Sequence, residues 1–231
     1  MMRANRTRAS SLRLACVAGA TALMGACASP EPTLHTLSLR AEPPAPETAR
    51  IQRAFRLSGV RVPERLDKPQ IVLRTSDSQV QELEQQRWAA PFGAELRDAL
   101  SADLADALSA VDVGGATPPA GVPLYRIGAD VQRLDARPGQ DVSALVTWRV
   151  SRDAATPGSN SNSNSNSNSS SSSSSSSSAL TCQTTLAEPA GGEVDAVVAA
   201  TQRVVRQWSQ RVAESVRSLE APGKGLPAWC R

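Results

Sequence analysis

Leu124-Tyr-Arg-Ile-Gly-Ala-Asp-Val-Gln-Arg-Leu-Asp-Ala-Arg-Pro-Gly-Gln-Asp-Val-Ser-Ala-Leu-Val-Thr-Trp-Arg-Val150 is the stretch whose reading decides the fold. Leu124 to Leu134 reads as a long strand. Arg137-Pro138-Gly139-Gln140 is a turn, with Pro and Gly as its punctuation. Val142, Ala144, Val146, Trp148 and Val150 then alternate with polar residues, so they share one face of a second strand. The pair predicts an antiparallel hairpin with one side turned to a core.

Outward toward the C-terminus, Ala179 to Leu186 is a further strand. Between it and the hairpin lie residues 158–178, an alternating Ser-Asn run over 159–168 followed by serine alone over 169–178. Such a segment has no apolar surface to offset its ordering entropy, so it reads as a disordered loop between strands. It is most simply an expanded repeat in the coding sequence. From Gly192 to about Leu219, Val194, Val197, Val198, Thr201, Val204, Val205, Trp208, Val212, Val216 and Leu219 form one continuous helical seam, which we read as core. The tail, residues 221–231, carries Pro222, Gly223, Gly225 and Pro227 and reads as loop.

Outward toward the N-terminus, Pro91 opens a helix in which Phe92, Leu96, Leu100, Leu104 and Leu108 recur every four residues. Glu95, Arg97, Asp98, Asp103 and Asp106 fall on its polar side. Before it come Val80 to Trp88, read mostly as strand, Gln70 to Thr75, a short β-branched strand, and Pro63 to Asp67, one helical turn. Arg53 to Val62 alternates as a strand, Ala41 to Glu47 is a proline-rich extended loop, and Thr33 to Arg40 ends in strand-like alternation. The order is strands, helix, strands, helix. It predicts an α/β fold, a mixed β-sheet with two long amphipathic helices packed against it as a layered sandwich.

The beginning of the chain is of another kind. Met1 to Arg13 is basic and Leu14 to Ala26 is apolar, the order of a secretory signal. That apolar run is shorter than the roughly 20 residues a spanning helix needs. It ends Leu23-Met24-Gly25-Ala26-Cys27, which resembles a bacterial lipobox. There the Cys27 thiol accepts the lipid, and cleavage frees its amine for a further acyl chain. Two or three acyl chains hold a protein on a membrane, where one is marginal. Ala28, in place of Asp, implies sorting to the outer membrane with the domain in the periplasm. The expected layout is a signal peptide over 1–26, a lipidated tether over 27–33, one α/β domain over 34–220 and a tail over 221–231.

Over the full chain 25 basic residues face 22 acidic ones, a formal charge of +3. Arg3, Arg6, Arg8 and Arg13 lie within the signal, so the remainder carries 21 against 22, a net of −1. A near-neutral domain argues against a nucleic-acid partner. Cys16 leaves with the signal and Cys27 takes the lipid. Cys182 and Cys230 remain, an even pair in an oxidising compartment, and a disulfide between them is predicted. His35 is the single histidine, with no Cys or Asp at metal spacing, so neither a metal nor a cofactor is expected. None of the common nucleophile, zinc or nucleotide motifs occurs. Glu82 and Glu84 could be imagined as an acid–base pair, but an exposed polar strand face explains them more simply. The expectation is a protein that binds or scaffolds and is not an enzyme.

Four features then resemble the PqiC family, the ABC-type transport auxiliary lipoproteins of a membrane-integrity system. They are the lipobox followed by Leu34-His35-Thr36-Leu37-Ser38-Leu39, the run from Val60 to Arg74, Arg87-Trp88-Ala89-Ala90-Pro91-Phe92 entering the leucine helix, and Tyr125-Arg126-Ile127 through Asp135 to the strand with Trp148. The Ser/Asn insert departs from the family pattern but falls in a loop. The resemblance implies a non-enzymatic docking subunit with an α/β layered fold. Its implied partners are a periplasm-spanning MCE-domain protein and that protein's inner-membrane component, on a lipid route between the two membranes, with ring-like self-association as homo-oligomer. The loops at Arg65–Pro69 and Trp88–Phe92 are the candidate contacts, with Arg65, Pro69, Trp88 and Phe92 as their residues. The rival expectation is a structural assembly lipoprotein for outer-membrane protein or lipopolysaccharide machinery.

Overall fold

The strands predicted around the central turn form the longest pair among the described residues. In the computed structural model they are Leu124–Arg137 and Asp141–Arg152, antiparallel, with Leu134 opposite Ala144 and Ala129 opposite Trp148. The structure describes residues 30–38, 51–153, 179–221, 223 and 225–231. The signal segment, Cys27, the loop at 41–47 and the insert at 158–178 lie outside the described residues.

In chain order the elements are β1 (Thr33–His35), β2 (Arg53–Arg61), a 3-10 turn (Glu64–Leu66), β3 (Gln70–Arg74), β4 (Val80–Trp88), α1 (Phe92–Leu108), β5 (Ala110–Asp112), β6 (Leu124–Arg137), β7 (Asp141–Arg152), β8 (Ala179–Pro189) and α2 (Val194–Glu220). The strands divide into two sheets, not one. A five-stranded sheet has the order β5-β2-β6-β7-β8, and a three-stranded sheet the order β1-β4-β3. Both mix orientations: β2 runs parallel to β5 and β6, and β1 parallel to β4, while the remaining pairs are antiparallel. Two elements differ from expectation. β5 is only three residues long, too short to show a period. The tail pairs with β8, as described below.

β6 holds the two sheets together by changing its inward parity. Tyr125, Ile127, Ala129 and Val131 face the core, then the pairing slips between Val131 and Arg133, and Leu134 and Ala136 face it instead. A single extra residue does this, since side chains alternate with a period of two. Past the bulge, Asp135 points the other way and is also buried. Its carboxylate accepts from Arg74 Nε of β3 at 2.7 Å, tying the small sheet to the large one.

Both helices pack against the five-stranded sheet and against each other. α2 buries Val197, Val198, Val204, Val205, Trp208, Val212 and Val216, the predicted seam, so that seam is core. Two of its buried hydroxyls bond back to their own helix, Thr201 Oγ1 to Val197 O and Ser209 Oγ to Val205 O, and Ser209 also reaches Asp103 of α1 at 3.4 Å. α1 begins where Pro91 cannot extend a preceding ladder. Its first turn is capped from a distance: Gly93 N–H donates to Asp67 Oδ1 at 3.2 Å. A Cβ at position 93 would lie 2.9 Å from that oxygen, so any larger residue there would displace the capping carboxylate. α1 stops at Ser109, which takes a left-handed φ of 48°.

Candidate functional site

The first described strand is held far more firmly than its three residues suggest. β1 pairs in parallel with the last residues of β4, Thr33 with Gln86 and His35 with Trp88. His35 O accepts from Ala89 N–H at 2.8 Å. The chain then turns inward and buries Leu37. Glu95 Oε2 accepts both Thr36 Oγ1–H at 2.8 Å and Leu37 N–H at 2.9 Å. Gln202 of α2 donates to Thr36 O at 2.9 Å. His35 Nε2 stands 2.7 Å from Gln86 Oε1, and its Nδ1 lies 3.7 Å from Asp195 at the start of α2. Residues 33–38 are thus bonded to β4, α1 and α2 together. Glu95 was expected on the polar side of α1; instead the N-terminal segment folds over it and buries it. Leu34 remains outside, 61 % exposed.

The other end is held covalently. Cys182 of β8 and Cys230 are joined by a disulfide. The tail, expected to be loop, lies antiparallel to β8: Gln183 N–H donates to Trp229 O at 2.8 Å, and Thr181 and Arg231 exchange two bonds of 3.0 and 2.9 Å. Arg211 of α2 stacks on the Trp229 ring, 3.9 Å from its centroid. Behind the disulfide, Ser215 Oγ accepts from Trp148 Nε1 at 3.1 Å and donates to Arg211 O at 3.0 Å.

The four candidate contact residues divide. Arg65 is exposed on the 3-10 turn and Pro69 is half-buried. Trp88 and Phe92 are buried core residues, their rings 5.5 Å apart and tilted by 45°. Their side chains therefore offer no surface to a partner, which corrects the expectation for these two. Aromatics flanking a loop look the same in sequence whether they face out or in. With Leu66, Ile71, Leu134 and Val197 they line an apolar space of about 20 Å³, room for one water and no lipid chain.

The face of the large sheet away from the helices is polar. Ser58, Gln132, Arg149, Thr181, Gln183 and Thr185 are exposed on it. A hollow of about 580 Å³ opens there over β6, flanked by β2 and β7, and the neighbouring-strand pair Arg61 and Asp130, 2.8 Å apart, forms part of its lining. Near the sheet's end Arg126 grips both oxygens of Asp153, at 2.7 and 2.8 Å, and holds that carboxyl below its ordinary value. Glu82 is bonded to Lys68 at 2.7 Å, and Glu84 lies beside Arg87 at 3.5 Å. Among the described residues no three His, Cys, Asp or Glu side chains cluster as metal ligands would, and no helix is long and apolar enough to cross a membrane. These surfaces are suited to contact through hydrogen bonds and ion pairs.

A third cluster sits where α2 ends. Arg53 Nε and Nη2 donate to Glu220 at 2.6 and 3.0 Å, and Tyr125 O–H donates to the same carboxylate at 2.9 Å. Burial pushes Glu220 up, but the hydrogen bonds from Arg53 and Tyr125 and the charges of Arg53 and Arg152 outweigh it and leave the carboxyl below its ordinary value. Burial and the bond to Glu220 raise the Tyr125 phenol to about 12. Arg53 also donates to Leu108 O, closing the carbonyl end of α1. This cluster joins β2, β6 and both helix ends, a structural role.

Residues 35–213 match the model of one protein family, the ABC-type transport auxiliary lipoprotein component. The chain belongs to that family. The matched stretch takes in Leu37, Glu95 and Gln202 of the N-terminal clamp, and it leaves out Cys27 and Cys230. No curated protein matches the chain. Among solved structures, an uncharacterised protein shares 16% identity with a TM-score of 0.57, covering 81% of this chain and 99% of that one. A Xanthomonas campestris protein of the DUF330 family shares 18% identity with a TM-score of 0.52, covering 84% and 100%. At these identities the likeness is one of fold, and it supports the layered α/β architecture of this auxiliary lipoprotein.

Proposed function

We propose that this auxiliary lipoprotein is a non-enzymatic docking subunit, held on the outer membrane by acyl chains at Cys27 with its domain in the periplasm. Its partner is a periplasm-spanning MCE-domain protein, linked to an inner-membrane component, on a lipid route between the membranes. The observation that carries the reading is membership of an auxiliary transport lipoprotein family together with the lipobox Leu23-Met24-Gly25-Ala26-Cys27. Cleavage before Cys27 makes this residue the first of the mature chain. The domain following the tether then receives the end of the partner, with the exposed turn at Arg65 and the neighbouring Pro69 as contact points.

The mass of the amino-terminal peptide, from protein made in a lipidating host, tests the anchor. A diacylglyceryl-modified Cys27 is expected, and an unmodified cysteine overturns the reading. Cross-linking from position 65 then tests the partner. Capture of an MCE-domain protein supports docking; capture of an outer-membrane β-barrel alone would replace it with an assembly role. The Cys27→Ala chain should fold normally and fail to restore the permeability barrier in cells lacking the protein.

A further inference from the structure

We propose that the surface around β1, centred on Leu34, lies against the phospholipid headgroups of the membrane that carries the anchor. The inference rests on the reading of Cys27 as the acylated residue. Thr33 stands six residues after Cys27, and six residues span at most about 21 Å fully extended. Two of the intervening residues are prolines, Pro30 and Pro32, which cannot coil freely. The tether is therefore short.

A short tether constrains orientation only if its attachment point is rigid, and this one is. Glu95, Gln202 and the pairing with β4 fix residues 33–38 to three elements at once, and Leu37 is buried beneath them. The domain cannot swing about a loose first strand. What stands at the attachment point is an exposed leucine, with Arg87 directly across from it in register and itself partly exposed. An apolar side chain beside a guanidinium and the Glu84 carboxylate 3.5 Å from it matches the boundary where zwitterionic headgroups, with both phosphate and ammonium, meet the acyl region. Water alone gives Leu34 no reason to be covered; a bilayer within reach of the tether does.

The test uses full-length lipidated protein in vesicles of phosphatidylethanolamine and phosphatidylglycerol. Leu34→Cys adds a single reactive thiol, since Cys182 and Cys230 are bonded to each other and Cys27 carries the lipid. Glu214→Cys is the control. It is exposed on α2, 19 residues beyond Asp195 and so about 28 Å along the helix from the end that meets His35. Each is given a nitroxide, and collision with a water-soluble nickel relaxant is measured before and after vesicle binding. Collision at position 34 should fall at least about twofold, with little change at 214. An unchanged rate at 34, or an equal fall at both sites, overturns the inference. Protection already present in lipid-free Cys27→Ala protein would mark a second copy as the occupant, and overturns it too. Flotation separates the two levels: protein that fails to float refutes the anchor as well, whereas floating protein with a freely colliding position 34 refutes only the orientation.

Discussion

The two ends of the described domain carry out one task by different chemistry. Each lays a short segment along a strand that would otherwise end in an open edge. At the C-terminus Trp229 to Arg231 lie against Thr181 to Gln183, and a covalent bond from Cys182 to Cys230 secures them. At the N-terminus Thr33 to His35 lie against Gln86 to Trp88, and the securing element is one buried carboxylate with two donors. Exposed edges recruit unwanted partners, so covering them serves solubility in either case. The difference lies in how each fails. A disulfide acts on the unfolded chain and is insensitive to pH, while a carboxylate clamp acts on the folded state and depends on every member being present.

Removing the covalent lock should have the largest effect. The disulfide closes a loop between residues 48 apart in sequence, for which chain entropy gives about 4 kcal/mol. The Cys182→Ala/Cys230→Ala chain should lose roughly 2–5 kcal/mol of stability in urea unfolding. Its amide protons at Thr181 and Gln183 should exchange faster than those in β7. An unchanged midpoint would mean that the strand pairing, not the bond, holds the tail.

Glu95→Ala comes next. It leaves the buried Leu37 N–H without its acceptor, at a cost of about 1–3 kcal/mol. The loss should be local first. Hydrogen exchange should show residues 33–38 fraying while β7 and α2 keep their protection, and Glu95→Gln should recover part of the effect by restoring an acceptor. Equal loosening across the domain would refute the clamp as a local device.

The smallest effect belongs to Glu220, the last residue of α2 before the tail. Its carboxyl is held below its ordinary value, so its contribution is present above the unfolded pKa of about 4.3 and fades as pH falls through the lower folded value. Acid titration of stability should therefore show a drop in that window, and Glu220→Gln should flatten it. The tail's covalent hold should not change over the same range.

Much of the architecture was legible because it follows from periods. The four-residue recurrence of Phe92 to Leu108 and the seam from Val194 to Leu219 depend only on which side chains share a helix face. The alternation from Val142 to Val150 depends only on the pleat. Which strands pair is not a local property, so the separation into two sheets was not visible. The parity change in β6 did leave a trace: Val131 and Leu134 are both apolar with Gln132 and Arg133 between them, a spacing no regular strand allows if both face inward.

The site was less legible. Cys182 and Cys230 could be paired by elimination, but their proximity depends on a tail that composition marks as loop. Glu95 sits among charged residues of α1, and nothing in the helix itself shows that another segment will cover it. Trp88 and Phe92 show the opposite error, aromatics that flank a loop yet fill the core. In each case the deciding neighbour lies far away in sequence.

The join between β7 and β8 has a practical consequence. Ser151 and Ala179 are register partners, so the stems of that connection are already fixed side by side by the sheet. Whatever joins them has no positioning to do, and doubling its length costs only about 0.6 kcal/mol. The hairpin mouth is thus a tolerant graft point, where an epitope or fluorescent reporter could replace the serine tract to follow the protein in living cells.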